Sequence, residues 1–216
     1  MAVIHNTEVK PSKLELLDLW LPSRPWFRGG DEPELGKVGG FRLDDPEGEV
    51  GIEFMVVTDT SGDEPTTYLV PMTYRGAPLE GADDALIGNM EHGVLGRRWI
   101  YDGYQDPVLV TQLVALIEGR AEAQAQSKSD TPDREVTCSY EGNGLDATVL
   151  TAIDDEECTE LRSPHGVAVR MRRVLEPGSD GASTLPEGAT GHLASSWTAP
   201  DGTKTRSLFA TTHAGS

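Results

Sequence analysis

Apolar residues recur at helical spacing in two stretches of the chain and alternate with polar ones in several others. Leu14, Leu17 and Leu21, with Leu16 and Trp20 beside them, fall on one side of a helix. Ser12 precedes them and Glu15 follows three residues later, the spacing of a capping box. Pro22 ends this helix after about ten residues, since proline lacks a backbone donor and clashes with the preceding turn. Leu109, Leu113, Leu116 and Ile117, with Val110 and Val114, give a second and broader apolar face. Asp106 is placed to cap it and Pro107 fits its first turn. The spacing predicts a helix from Pro107 to about Gln126, with the small and polar turns from Ala121 onward exposed.

Between the two helices the period changes to two. Strands are predicted over Phe41–Leu43, Glu49–Thr58 and Thr66–Tyr74, with Ile52, Phe54 and Val56 on one face. Gly29–Gly40 reads as a loop, as does the polar run Asp59–Glu64 between the last two strands. Pro71 withholds a ladder donor, so its strand is expected at an edge or bulged there. Asp83–His92 reads as helical, capped by Asp83 and stopped by Gly93, and Arg98–Tyr101 as a short strand. After the linker-like Lys128–Asp133 the helical period disappears. Alternation over Val167–Leu175, His192–Thr198 and Arg206–Thr211, with a turn at Pro200–Thr203, predicts a β-rich unit. Glu176–Ser183 and Leu185–Thr190 read as loops.

The chain has 216 residues, enough for a sizeable core. Its formal charge is −18, from 18 Lys and Arg against 36 Asp and Glu. The acids spread over both halves, so this is no acidic tail. Such a balance disfavours binding to a phosphate backbone or an anionic membrane surface. No apolar run reaches the roughly 20 residues that span a bilayer, and Met1–Lys10 lacks the pattern of a secretory signal. A cytoplasmic protein with no nucleic-acid or membrane partner is expected. Cys138 and Cys158 lack zinc spacing and read as reduced thiols.

Candidate chemistry is sparse. The acid runs at Asp44-Asp45, Asp83-Asp84 and Asp154–Glu157 read as solvated turns, because adjacent residues on a strand face opposite ways. His5, His92, His165, His192 and His213 form no paired ligand set. There is no nucleophile elbow or phosphate loop, and Gly29-Gly30 and Gly39-Gly40 read as turn chemistry. No catalytic residue, metal site or cofactor is expected. Two aromatic clusters remain, Trp26-Phe27 and the run around Arg98-Trp99. They suit either core packing or a surface that takes a partner or ligand.

The signals of the first half come in a definite order: a Leu-rich helix into LWLPSRPWF (19–27), GIEFMVVTD (51–59), TYLVPMTYRG (67–76), HGVLGRRWIYDGYQDP (92–107) and the helix VLVTQLVALIEGRA (108–121). Over roughly residues 3–128 this order resembles the N-terminal cap domain of maltokinases, and stand-alone cap-like proteins above all. The resemblance implies a cystatin-like cap, a curved antiparallel sheet packed on helices. With that cap at 1–128, the residue patterns complete an α+β chain with a linker (129–135) and a β-rich antiparallel unit of unknown relationship (136–216). In the full kinases a bilobal body follows the cap and phosphorylates maltose. Phosphoryl transfer needs a lysine, a catalytic carboxylate and metal-holding side chains. Here Val167-Ala168-Val169-Arg170 offers an arginine where a kinase strand would offer lysine, and no His-x-Asp loop occurs. No catalytic residue carries over.

The expectation is a non-catalytic binding or regulatory protein of maltose-phosphate and α-glucan metabolism. It would act through a protein partner, a sugar kinase or α-glucan enzyme, with Trp26, Phe27, Arg98 and Trp99, or a sheet edge, as the contact surface. The alternative is a carbohydrate-active hydrolase or transferase that uses acids brought together by the fold.

Overall fold

A computed structural model describes residues 9–126, 131–178 and 185–213. The ordered elements are β1 (Val9–Lys10), α1 (Lys13–Trp20), β2 (Leu35–Leu43), β3 (Gly51–Asp59), β4 (Thr66–Arg75), β5 (Leu86–His92), β6 (Gly96–Asp102), α2 (Pro107–Ile117), β7 (Gln124–Ala125), β8 (Thr137–Tyr140), β9 (Thr151–Asp154), β10 (Cys158–Ser163), β11 (Gly166–Arg172), β12 (Val174–Leu175), β13 (Ala189–Thr198) and β14 (Lys204–His213). Antiparallel sheet dominates and helices are few.

Both helices begin as their local signals dictate. Ser12 and Glu15 form the complete capping box of α1. The Asp106 carboxylate accepts from the Val108 N–H at the start of α2, with Pro107 in the first turn. α2 ends earlier than its apolar pattern suggested. Gly119, at φ 72°, turns the chain out of the helix, and Gln124–Ala125 pairs with β2 instead of extending an exposed helix. The 83–92 stretch is also corrected. Only Asp83–Ala85 is helical, as a single 3-10 turn without a side-chain cap, and Leu86–His92 is a strand. The cap and stop signals at Asp83 and Gly93 misled because pairing with β6, together with a register shift between Leu86 and Gly88, decides the conformation. The linker reading of 128–133 lies partly outside the described residues. Its described end is tied down: Pro132 bridges to Gln124, and the Asp133 N–H donates to the Ala123 carbonyl at 2.8 Å.

The strands run in the order β1-β5-β6-β4-β3-β2-β13-β14-β11-β10-β9. The ladder also closes on itself. β11 continues through Arg173 into β12, which pairs with β4 through Val174↔Tyr68 and Leu175↔Thr67, and the Leu69 N–H donates to the Arg173 carbonyl at 2.9 Å. Strands β4, β3, β2, β13, β14 and β11–β12 therefore form a ring, which leaves fewer open edges for pairing with other chains. Pro71 sits opposite Phe54 in unbroken register with β3. On its other side β12 covers Thr67–Tyr68 and β6 covers Met72–Arg75. The proline occupies the gap between them, where a ladder donor is not needed.

The seam of the ring is a single registered pair, Trp197↔Gly39. A Cβ on Gly39 would lie 2.9 Å from that of Trp197. Its neighbour Gly40 has φ 122°, and a Cβ there would meet the Phe54 carbonyl at 2.0 Å. The Gly39-Gly40 pair, and Leu35–Val38 before it, thus belong to a strand and not to the loop that composition suggested. Gly40→Ala is expected to destabilise the protein by about 2–3 kcal/mol, which a urea unfolding curve would measure. Gly48→Ala is the milder comparison: its φ is also positive but the space around it is open.

Alternation sends β3 and β4 side chains to two cores. Ile52, Phe54, Val56 and Leu69 pack with Leu109, Leu113 and Leu116 of α2, and in the same cluster with Val169, Met171, Leu193, Trp197 and Phe209. Met55, Val57, Tyr68, Val70 and Met72 face the other way, onto Leu17, Trp20, Leu21 and Trp26. The boundary between 1–128 and 136–216 is therefore no gap in packing: α2 and the C-terminal strands share one core.

Candidate functional site

The four residues singled out from sequence do not form one surface. Trp26 is 0% exposed and packs edge-on to Trp20, with ring centroids 5.8 Å apart, and against Tyr68. The surface reading of Trp26 is corrected to core: Pro22 and the 3-10 turn after α1 lead the chain back over the sheet, and the indole fills the space there. Phe27 is half-buried on Tyr68. Arg98 and Trp99 are half-buried neighbours on β6 and point to opposite faces. Trp99 carries Arg97 over its ring at 5.2 Å.

Trp26 belongs instead to a buried ionic joint that the sequence reading missed. Arg173, between β11 and β12, is 0% exposed. Its guanidinium lies between two ring faces, 4.8 Å from the Trp26 centroid and 4.5 Å from that of Tyr104. Nη2 donates to Asp102 and Nε donates to Thr159 Oγ1 at 2.6 Å. Burial works against this charge, and the carboxylates of Asp102 and Asp154 more than offset it, so Arg173 stays protonated. Asp102 and Tyr104 come from the YDGYQDP stretch. The last acid of that stretch, Asp106, takes a bidentate pair from Arg75 at 2.6 and 2.7 Å. A signal existed: in Val167-Val169-Met171-Arg173 the alternation places an arginine at an inward position.

A second buried carboxylate, Glu53, ties α1 to the sheet. It pairs with Lys13, lies 3.6 Å from Lys37 and accepts from the Tyr74 hydroxyl at 2.6 Å. Burial would raise its pKa, and the two lysines and the hydroxyl together pull it below the ordinary value. The sign follows for stability. The Glu53 contribution is present above the unfolded carboxylate range, near 4.3, and is lost as pH falls through the lower folded value. Glu53→Gln is expected to cost about 2 kcal/mol near neutral pH. The gap to the unsubstituted protein should close in urea titrations carried down through the acid range.

A concavity of about 920 Å³ lies in the C-terminal half between the 140–150 loop, the Ser163–His165 turn and the ends of β13 and β14. Glu118, at the end of α2, holds this loop by accepting from the Leu145 N–H at 2.7 Å. Tyr140, Asn143, Asp146, His165, Thr190 and His213 are among its lining residues, and no Lys or Arg is among the described ones. The Asp146 carboxylate accepts from the Thr148 N–H and hydroxyl, which holds it below its usual value and keeps it ionised. Burial and the nearby Arg170 lower His213, favouring the neutral ring. The cleft is therefore an uncharged-to-acidic hydrogen-bonding surface.

Among the described residues one group has the spacing of metal ligands: Asp155, Cys158 and Glu160, with ligand atoms within 4.8 Å of one another. Its chemistry fits a cation poorly. Glu160 is already held by Arg162 and Arg170 at 2.5 Å each. The Cys158 thiol is pushed up to about 12 by burial and by Asp155, so it stays protonated. No helix among the described residues is long and apolar enough to cross a membrane.

No curated protein matches the chain. A family does. The matched segment is narrower than the 3–128 span over which the resemblance was traced, since most of α1 and all of α2 fall outside it. Over residues 20–106, from the end of α1 to the residue that caps α2, the chain matches the model of the maltokinase N-terminal cap domain.

Proposed function

We propose that this is a non-catalytic cap-like binding or regulatory protein, cytoplasmic and serving maltose-phosphate and α-glucan metabolism through a protein partner. The observation that carries the reading is the cap match over 20–106, in a chain whose C-terminal strands complete a barrel with the cap. α1 laid across β3 and β4 on one face supports a cystatin-like description of the cap itself. Arg173 joins those strands to the YDGYQDP stretch. The partner would be a sugar kinase or α-glucan enzyme, and a charge of −18 favours one with a basic face and salt-sensitive association. The contact would use the outer edge of β9, where Ile153 is 50% exposed next to the acidic run Asp154–Glu157.

The test is affinity capture at low and moderate salt, then a sugar phosphotransfer assay with and without the chain. The reading expects a sugar kinase or α-glucan enzyme whose turnover the chain alters. An Ile153→Lys variant should lose the association. A chain that is recovered alone and changes no such activity counts against the reading.

The alternative, a carbohydrate-active enzyme, draws support from the 920 Å³ cleft. Among the described residues its lining carboxylates are Glu141 and Asp146, and Asp146 suits accepting a hydrogen bond better than giving a proton. Release of reducing sugar from an α-glucan, abolished by Glu141→Gln, would favour this alternative.

A further inference from the structure

In so acidic a chain several described arginines have a carboxylate. Arg75 has Asp106, Arg173 has Asp102, Arg162 and Arg170 share Glu160, Arg120 has Glu118 and Arg28 reaches Glu157. Arg98 is different. Among the described residues no carboxylate lies within ion-pair distance of it. Its Nη2 donates to the Leu95 carbonyl at 3.0 Å, and its Nε is buried with no acceptor. A buried donor left unmade is costly, more so on a charged group, and a structure that retains one calls for an acceptor.

Arg98 lines a recess of about 430 Å³ with Val50, Arg75, Gly76, Ala77 and Pro78, and with Gly48 and Glu49 on the turn side. Asp106 holds Arg75 by Nε and Nη2, which fixes its position. Gly76 leaves Arg98 Nη1 uncovered: a Cβ there would stand 2.9 Å from it. Two guanidinium groups, one rigidly held and one short of acceptors, suit the several oxygens of a phosphate better than the two of a carboxylate. The volume exceeds what phosphate alone fills and leaves room for a body of sugar size.

We propose that this recess binds a small phosphate monoester, its phosphate on Arg98 and Arg75 and its neutral part along Gly76–Pro78. Glu49 opposes the ligand charge and sets an upper limit on affinity. The site is independent of any protein partner, so its failure would leave the proposed function standing.

The test is calorimetric titration of the full chain with glucose 6-phosphate, inorganic phosphate and glucose. Glucose 6-phosphate should bind saturably and more tightly than inorganic phosphate, and glucose should not bind. Arg98→Met should weaken binding about tenfold or more, and Gly76→Ala should weaken it by covering Nη1. Glu49→Gln should tighten it, and Lys204→Met, paired with Glu135, should change nothing. Circular dichroism of Arg98→Met separates lost binding from lost fold, and Glu49→Gln tests the site without touching an arginine. Absence of saturable binding up to about 10 mM, equal affinity in Arg98→Met, or no preference for the ester over inorganic phosphate would overturn the proposal.

Discussion

Asp102→Ala is expected to lower the free energy of unfolding by about 3–5 kcal/mol, a large part of the stability of a domain of ordinary size. The cause is what remains behind. Arg173 is wholly enclosed, Asp154 reaches it only at 3.5 Å, and Thr159 supplies a neutral acceptor. Without Asp102 the guanidinium keeps its charge in a site closed by Trp26 and Tyr104, with too little to compensate it. Arg173→Met removes the charge and most of the polar mismatch, so it should cost less than Asp102→Ala. The double variant Asp102→Ala with Arg173→Met should recover stability relative to Asp102→Ala alone. Urea unfolding of the four proteins closes the cycle. Additive effects would mean that the two side chains do not act as a pair.

Trp26→Ala is the second large effect, about 3–5 kcal/mol. It removes the ring that covers Arg173 and opens a cavity beneath α1, among Trp20, Tyr68 and the residues around them. Trp99→Ala, on a half-buried strand position, should cost about 1 kcal/mol or less. Thermal unfolding of the two variants distinguishes core from surface tryptophan. Similar small losses would return Trp26 to the surface.

Local signals were legible in the sequence, and signals that depend on distant partners were not. The capping box at Ser12 and Glu15 and the Asp106-Pro107 start of α2 are written within four residues and appear as expected. The alternation of Ile52, Phe54 and Val56 named a true core face. The strand β5 was missed because Asp83 and Gly93 looked like the two ends of a helix, whereas pairing with β6 makes the segment extended. β8, β9 and β10 were missed because they are short or carry mixed polarity, and their neighbours define them. The end of α2 could have been found, since Gly119 stood in the sequence.

The candidate surface shows the same division. Trp26 and Arg98 both stood out as residue types. Trp26 is buried against Arg173, far along the chain, and Arg98 lines a recess beside Gly76. The inward place of Arg173 in an alternating run was the one sequence signal that pointed to a buried charge.

Closed by β12 on β4 and joined through Arg173, the cap-matching segment and the C-terminal strands should unfold as one cooperative unit. Native-state hydrogen exchange of the full chain, read by mass spectrometry across a series of low urea concentrations, tests it most directly. Amides of β3, β4, β13 and β14 should exchange through one opening, with a common free energy and a common urea dependence. Exchange of β13 and β14 at a clearly lower free energy, with β3 and β4 still protected, would contradict it.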